Sequence, residues 1–157
     1  MDPHEPLRRH LITLLSQAEA HVDVETTLKE FPAGLRGRKP EGSPHTPWQL
    51  LEHMRLAQWD ILQFTLDPKH KSPPWPEGYW PQSDAPPSDG AWDKSIQQFL
   101  ADLKSVCGFV RDPQCDLFAK IPHGEGQTYL REALLVADHN SYHLGQLVLI
   151  RRMLEHK

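Results

Sequence analysis

Residues 137–146 read Ala-Asp-His-Asn-Ser-Tyr-His-Leu-Gly-Gln and place two histidines, His139 and His143, four positions apart. On an α-helix, residues with this spacing lie on the same face, one turn above the other. Two imidazoles in that arrangement reach one metal ion without backbone strain. The segment therefore predicts a helix that contributes two ligands, and a third ligand has to come from another part of the chain.

The apolar residues around this pair repeat with the period of a helix and predict one helix over residues 128–155. One stripe of this helix includes both histidines and consists of Leu135, Val136, His139, His143, Leu147, Ile150 and Leu154. A second stripe, rotated from the first, consists of Leu130, Leu134, Ala137, Leu144 and Val148. A helix that is apolar over so wide an arc is central in the core or also used for subunit contact. Gly145 costs about 1 kcal/mol there relative to alanine, so we expect another backbone to approach it closely.

A first helix and a short one are predicted near the N-terminus. The first begins behind Asp2-Pro3, and its apolar positions are Leu7, Leu11, Leu14 and Ala18. Residues 22–35 predict one short helix that is capped by Asp23, ends at Pro32 and directs inward Val24, Leu28 and Phe31.

The second long helix has a well-marked start. Thr46 is its N-cap, Pro47 takes the first helical position, and Gln49 stands three residues past the cap. The helix ends before Asp67-Pro68. Its inward stripe consists of Leu50, His53, Met54, Ala57, Ile61 and Phe64.

The third long helix is predicted from Ser88 or Asp89 to the Asp112-Pro113 pair that stops it. Its apolar seam repeats as a heptad and consists of Trp92, Ile96, Phe99, Leu103, Val106 and Val110. Together, these patterns give four long amphipathic helices and no strand.

Residues 69–90, between the second and third long helices, form a crossover that is rich in proline and tryptophan. So many prolines exclude regular structure, while two tryptophans and a tyrosine indicate a packed segment. Connections this long are uncommon in compact domains, and this one can carry the chain from one end of a bundle to the other. We therefore predict one all-α domain over residues 1–157, a four-helix bundle with up-down-down-up order.

Composition excludes several classes of protein. A chain of 157 residues fits one domain, and its net charge of -4 provides no footprint for nucleic acid. No apolar run approaches the roughly 20 residues that span a bilayer, and the N-terminus does not resemble a signal peptide. Cys107 and Cys115 are expected to be buried free thiols, which together with these absences favours the cytoplasm.

His53 is the best candidate for the third ligand. Of the ten histidines, it alone shares the core-facing placement of His139 and His143. Three imidazoles with a fourth position open form the ligand set of a catalytic or exchangeable site. A core-facing histidine is more often a structural residue, and the segment lacks the glutamate of a zinc protease. His45 is expected at the mouth of the site and His123 at the opposite end of the bundle.

Two segments, WQLLEH at 48–53 and ADHNSYHLGQ at 137–146, resemble the DinB-like superfamily, and the resemblance covers nearly the whole chain. That superfamily includes YfiT-type metal hydrolases and the bacillithiol and mycothiol transferases. The resemblance implies an up-down-down-up bundle, usually a homodimer. It also implies one divalent ion per chain, such as zinc or nickel, on His53, His139 and His143.

The resemblance further implies an activity. Members with an assigned reaction move a low-molecular-weight thiol onto an electrophile, so we expect a metal-dependent transferase or a hydrolase of small molecules. The reacting group would be a water or a thiolate in the open position of the metal. The alternative is a metal-binding or stress-response protein without turnover. Four aromatic residues are expected either to form a pocket or lid or to hold the crossover down: Trp75, Tyr79, Trp80 and Trp92.

Overall fold

The computed structural model describes residues 2–16 and 19–156 and folds them into helices. They are α1 (Glu5–Ser16), α2 (Val24–Lys29), α3 (Pro47–Leu66), α4 (Ala91–Arg111) and α5 (Tyr129–Glu155). Two 3-10 turns lie at Ala33–Leu35 and Glu77–Tyr79. Within the described residues there is no strand, only one isolated bridge between Lys120 and Thr128. The prediction of an all-α helical bundle is confirmed.

The helix starts follow from capping chemistry. At α3, the Thr46 hydroxyl accepts from the Gln49 amide at 3.2 Å, and the Gln49 side chain accepts from the Thr46 amide at 3.1 Å. At α5, the Thr128 hydroxyl accepts from the Arg131 amide at 3.1 Å. The start of α4 was predicted too early, because residues 88–90 form a turn and Gly90 is the cap.

The inward face of α1 differs from the prediction. Leu11 and Leu15 are buried, but Leu14 is exposed, and the predicted Ala18 lies outside the described residues. Arg8 is buried beside them, because its guanidinium donates to the carbonyls of Val110 at 2.9 Å and Cys115 at 2.7 Å. A buried arginine whose donors are satisfied thus ties α1 to the end of α4.

Helix α4 lies in the core, and all six residues of its predicted seam are buried. Trp92 lies at its start and has no exposed surface. The Trp92 indole donates to the Leu28 carbonyl at 3.0 Å and packs on Phe31 at 5.5 Å. Arg36 covers the same ring at 4.9 Å. Trp92 is therefore a core residue and cannot form a mouth, which corrects its expected place at the pocket.

One buried amide links three helices. The Gln58 side chain on α3 donates to the Phe99 carbonyl on α4 at 2.7 Å and accepts from Asn140 on α5 at 2.8 Å. Earlier on α3, Trp48 packs on Trp92, the second residue of α4, at 6.5 Å. Contacts between α3 and α4 thus advance in the same direction along both helices.

The contacts between α3 and α5 follow opposite orders along the two segments. At the end of α3, the Phe64 carbonyl lies 2.6 Å from Nε2 of His123, which precedes α5, whereas Gln58 meets Asn140 in mid-helix. The up-down-down-up order requires that α3 runs parallel to α4 and antiparallel to α5. These contacts agree with it, and the order itself stays a prediction. None of the helices within the described residues is long and apolar enough to cross a bilayer.

The crossover, residues 69–90, is held to the rest of the chain by hydrogen bonds. Asp60 on α3 accepts from the Tyr79 hydroxyl at 2.7 Å and contacts His70 Nε2 at 2.6 Å. The Thr46 hydroxyl donates to the Asp84 carbonyl at 2.7 Å. The segment is packed, as expected, but the turn Glu77–Tyr79 gives it some regular structure despite its prolines.

We expect Gly37→Ala to destabilise the fold and Gly34→Ala to leave it intact. A Cβ on Gly37 would lie 2.5 Å from the Ala85 Cβ of the crossover. A Cβ on Gly34 would have no neighbouring atom within 4 Å. Overpacking of this kind lowers the free energy of unfolding by about 1–3 kcal/mol. Urea denaturation of the two variants measures this difference in the free energy of unfolding. Equal midpoints would contradict the close packing of this loop on the crossover.

Candidate metal centre

Helices α3 and α5 bring the three predicted histidines together. One ring nitrogen from each of His53, His139 and His143 lies within 4.8 Å of the others. His53 is 3% exposed and His143 is 7% exposed, while His139 is partly exposed. Among the described residues, no fourth histidine, cysteine or carboxylate joins this group.

Hydrogen bonds orient two of the rings. Nδ1 of His53 donates to the Tyr79 carbonyl at 3.1 Å, and Nδ1 of His143 donates to the Gln146 side-chain oxygen at 2.7 Å. In a neutral imidazole, a proton on Nδ1 leaves the lone pair on Nε2 free. Metal-bound histidines almost always donate their second nitrogen in this way.

His139 shows that the group fits a cation. Its Nε2 lies 3.1 Å from Nε2 of His53, and its Nδ1 is buried without a hydrogen-bond partner. Without an ion, either two lone pairs face each other or His139 donates its Nε2 proton and leaves a buried acceptor unpaired. Two nitrogens on one tetrahedral zinc at 2.0–2.1 Å are about 3.3 Å apart. A shared cation therefore satisfies the pair at nearly its present separation.

The electrostatics keep the three rings neutral. Burial, with a smaller effect of His143, lowers the pKa of His139 from 6.5 to about 3. Burial also lowers the pKa of His53 from 6.5 to about 4, although its hydrogen bond to Tyr79 acts in the opposite direction. The pKa of His143 is lowered by burial as well. Neutral imidazoles are the form that binds a metal, so no proton has to be displaced near pH 7.

Aromatic rings form one wall of the centre. Trp80 is nearly parallel to both His53 and His45 and lies 3.8 Å from each ring centroid, so the two imidazoles cover its opposite faces. Burial is the main cause that lowers the pKa of His45, followed by Lys39 and His143. His45, Tyr79 and Trp80 thus lie beside the three histidines, and their role as a pocket or mouth stays a prediction.

Two other predicted residues are placed differently. Trp75 lies 6.5 Å from His53 but is 71% exposed, so it borders the centre without being packed down. His123 is bonded to Phe64 and stays outside the group, in agreement with its expected place at the other end of the bundle.

Sequence reasoning missed two residues that orient the ligands. Gln146 was part of the quoted stretch, and its position three residues after His143 was a signal, because such residues are neighbours on a helix. Asp60 carried no signal of this kind. It reaches the centre only through Tyr79, whose hydroxyl it holds and whose pKa burial and this contact raise to about 12.

The family model of the DinB superfamily matches residues 18–147, more than four-fifths of the chain. The chain belongs to the DinB superfamily. The matched range includes all three histidines, and their cluster fits the metal site of this superfamily. No match is found among the curated proteins or among the solved structures.

We expect the double substitution His139→Ala and His143→Ala to abolish metal binding by this DinB-superfamily protein. One imidazole cannot hold an ion that three were arranged to share. Elemental analysis after dialysis measures the bound metal, and His123→Ala, which removes an exposed histidine outside the cluster, is the control.

A partial loss of metal affinity is expected for Gln146→Ala, which keeps all three ligands but removes the hydrogen bond that orients the His143 ring. Loss of such a hydrogen bond typically weakens metal affinity 10–100-fold. Stoichiometric metal in the double variant, or unchanged affinity in Gln146→Ala, would contradict the assignment.

Acid is expected to destabilise the metal-free protein. Because the pKa of His53 and of His139 is lower in the folded chain than the ordinary 6.5, the unfolded chain takes up protons first as pH falls. The stability present above pH 6.5 is lost progressively as pH falls toward about 4, at about 1.4 kcal/mol per pH unit for each added proton. Urea denaturation at pH 7, 6 and 5 with a chelator measures this slope. It should flatten when the three ligands are replaced by glutamine, and an unchanged slope would count against their burial as neutral rings.

Proposed function

We propose that the chain binds one divalent ion, zinc or nickel, and uses it to transfer a low-molecular-weight thiol to an electrophile or to hydrolyse a small molecule. The observation that carries this proposal is the number of ligands. Structural zinc sites are normally closed by four protein ligands, whereas catalytic sites keep one position open. Three histidines and no further ligand among the described residues favour the open arrangement.

When bound, a divalent ion supplies Lewis acidity, which lowers the pKa of a water or thiol toward neutrality. The chain's own residues prepare that chemistry. The Tyr79 carbonyl and Gln146 fix the ring orientations, and Trp80 keeps water from one side of His53. In the transfer, the thiol sulfur bonds to the electrophilic carbon, the thiol proton passes to solvent, and the leaving group departs with the bonding pair.

A second candidate is a cytoplasmic metal-binding protein of the stress response without turnover. The burial of His53 under Trp80 supports it, because a permanently held ion also requires ligands shielded from water. Both cysteines are free thiols, which is the usual state in a reducing compartment.

We also propose a homodimer that uses the outer face of α5. Leu134 and Tyr142 are exposed there, and Gly145 lies about one turn after Tyr142, with no packing neighbour within 4 Å of its Cβ position among the described residues. The glycine therefore has no packing reason within the chain, and a second copy could supply the expected close approach.

Turnover separates the two candidates. We expect zinc- or nickel-loaded wild type to conjugate at least one low-molecular-weight thiol to an electrophile, and His53→Ala to lose at least 90% of that rate through loss of a ligand. Loss of free thiol over time is the measurement, with His123→Ala as the control. A panel in which no member reacts faster with wild type than with His53→Ala favours binding without turnover.

A further inference from the structure

We propose that a cavity beside the metal centre binds the uncharged, apolar body of the electrophile. The cavity has a volume of about 340 Å³ and lies between residues 41–45, α3 and α5. Its volume falls in the range of small-molecule sites, about 300–1,000 Å³. This inference rests on the proposed function, because it names the substrate class of the same centre.

The walls of the cavity select against charge. Five apolar side chains line it: Pro44, Leu50, Leu149, Ile150 and Met153. The Ser43 hydroxyl is already engaged with the His45 carbonyl at 2.7 Å. Among the described residues that line the cavity there is no lysine or arginine, and Glu41 is the one carboxylate. An anionic group would find no counter-charge here, whereas an apolar group would leave water for an apolar surface.

One side chain separates the cavity from the ligand His143. Gln146 lines the cavity and accepts the hydrogen bond of the ligand His143 at 2.7 Å. His45 also lines the cavity and stacks on Trp80, whose other face covers the ligand His53. A molecule held in the cavity therefore lies one side chain, Gln146, from the ligand His143, and two, His45 and Trp80, from the ligand His53.

The uncharged, apolar lining assigns the cavity to the electrophile rather than to the thiol. Low-molecular-weight thiols that carry several charges would find no partners for them on these walls. Leu149 and Met153 are 58% and 40% exposed, so this wall offers apolar surface that the chain itself leaves uncovered. Exposed apolar surface in a concave site is typical of ligand binding.

The test uses a matched pair of fluorescent probes with purified, metal-free full-length chain. N-phenyl-1-naphthylamine is neutral, and 8-anilinonaphthalene-1-sulfonate adds a negative charge to the same rings. We expect the neutral probe to bind with one-to-one stoichiometry and at least tenfold more tightly than the sulfonate. The double variant Leu149→Gln with Met153→Gln should weaken the neutral probe at least tenfold. Leu66→Gln, which changes an exposed leucine at the end of α3 outside the cavity, should leave its binding unchanged.

A second readout links the cavity to the centre. In protein loaded with cobalt(II), the neutral probe should shift the visible absorption bands, because it contacts Gln146, which orients the ligand His143. Equal affinity for the two probes, equal loss with Leu66→Gln, or probe binding without a shift in the cobalt bands would each overturn the proposal. A double variant that loses the probe together with its native mass on a sizing column would instead assign this wall to the subunit contact.

Failure of this proposal and failure of the proposed function are distinguishable. A chain that conjugates thiols but binds no neutral probe would overturn the cavity assignment alone. A chain that binds the probe and shifts the cobalt bands, but conjugates nothing, would keep the cavity beside the metal and remove the reaction.

Discussion

The structure depends on one constraint, the burial of three imidazoles whose nitrogens converge on the same point. Polar groups out of water have to be paired, and Nε2 of His53 and Nε2 of His139 are only 3.1 Å apart. A cation shared by the three rings meets that requirement for the Nε2 atoms of His53 and His139. Burial lowers the pKa of both rings, so they would meet such an ion as neutral ligands.

The crossover is part of the same arrangement. It returns over α3 and places the Tyr79 carbonyl on His53 and the Trp80 ring on the face of that histidine. Asp60 fixes this path, because its carboxylate receives the Tyr79 hydroxyl and contacts His70. A segment without long helices is thus held by a few charged or aromatic contacts to α3, and through them it orients a ligand.

The sequence was sufficient for the long helices and for the cluster of three histidines, because helical spacing placed each of these histidines on an apolar face. The capping box at Thr46 and the stripe that contains His139 and His143 need only helical spacing. Leu14 was wrongly predicted to face inward, because a three-four pattern allows either Leu14 or Leu15 to do so. The inward face of α1 is the one that carries the buried Arg8, which contacts carbonyls distant in sequence. Trp92 was expected at the pocket because it is aromatic. It lies in the core instead, where α2 covers it and the Leu28 carbonyl accepts its indole hydrogen bond.

X-ray absorption at the zinc edge, on protein loaded with one equivalent of zinc, tests the central claim most directly. The account predicts three imidazole nitrogens and one further light atom at about 2.0–2.1 Å. A shell of carboxylate and water oxygens without imidazole scattering, or one with sulfur from Cys107 or Cys115, would contradict it.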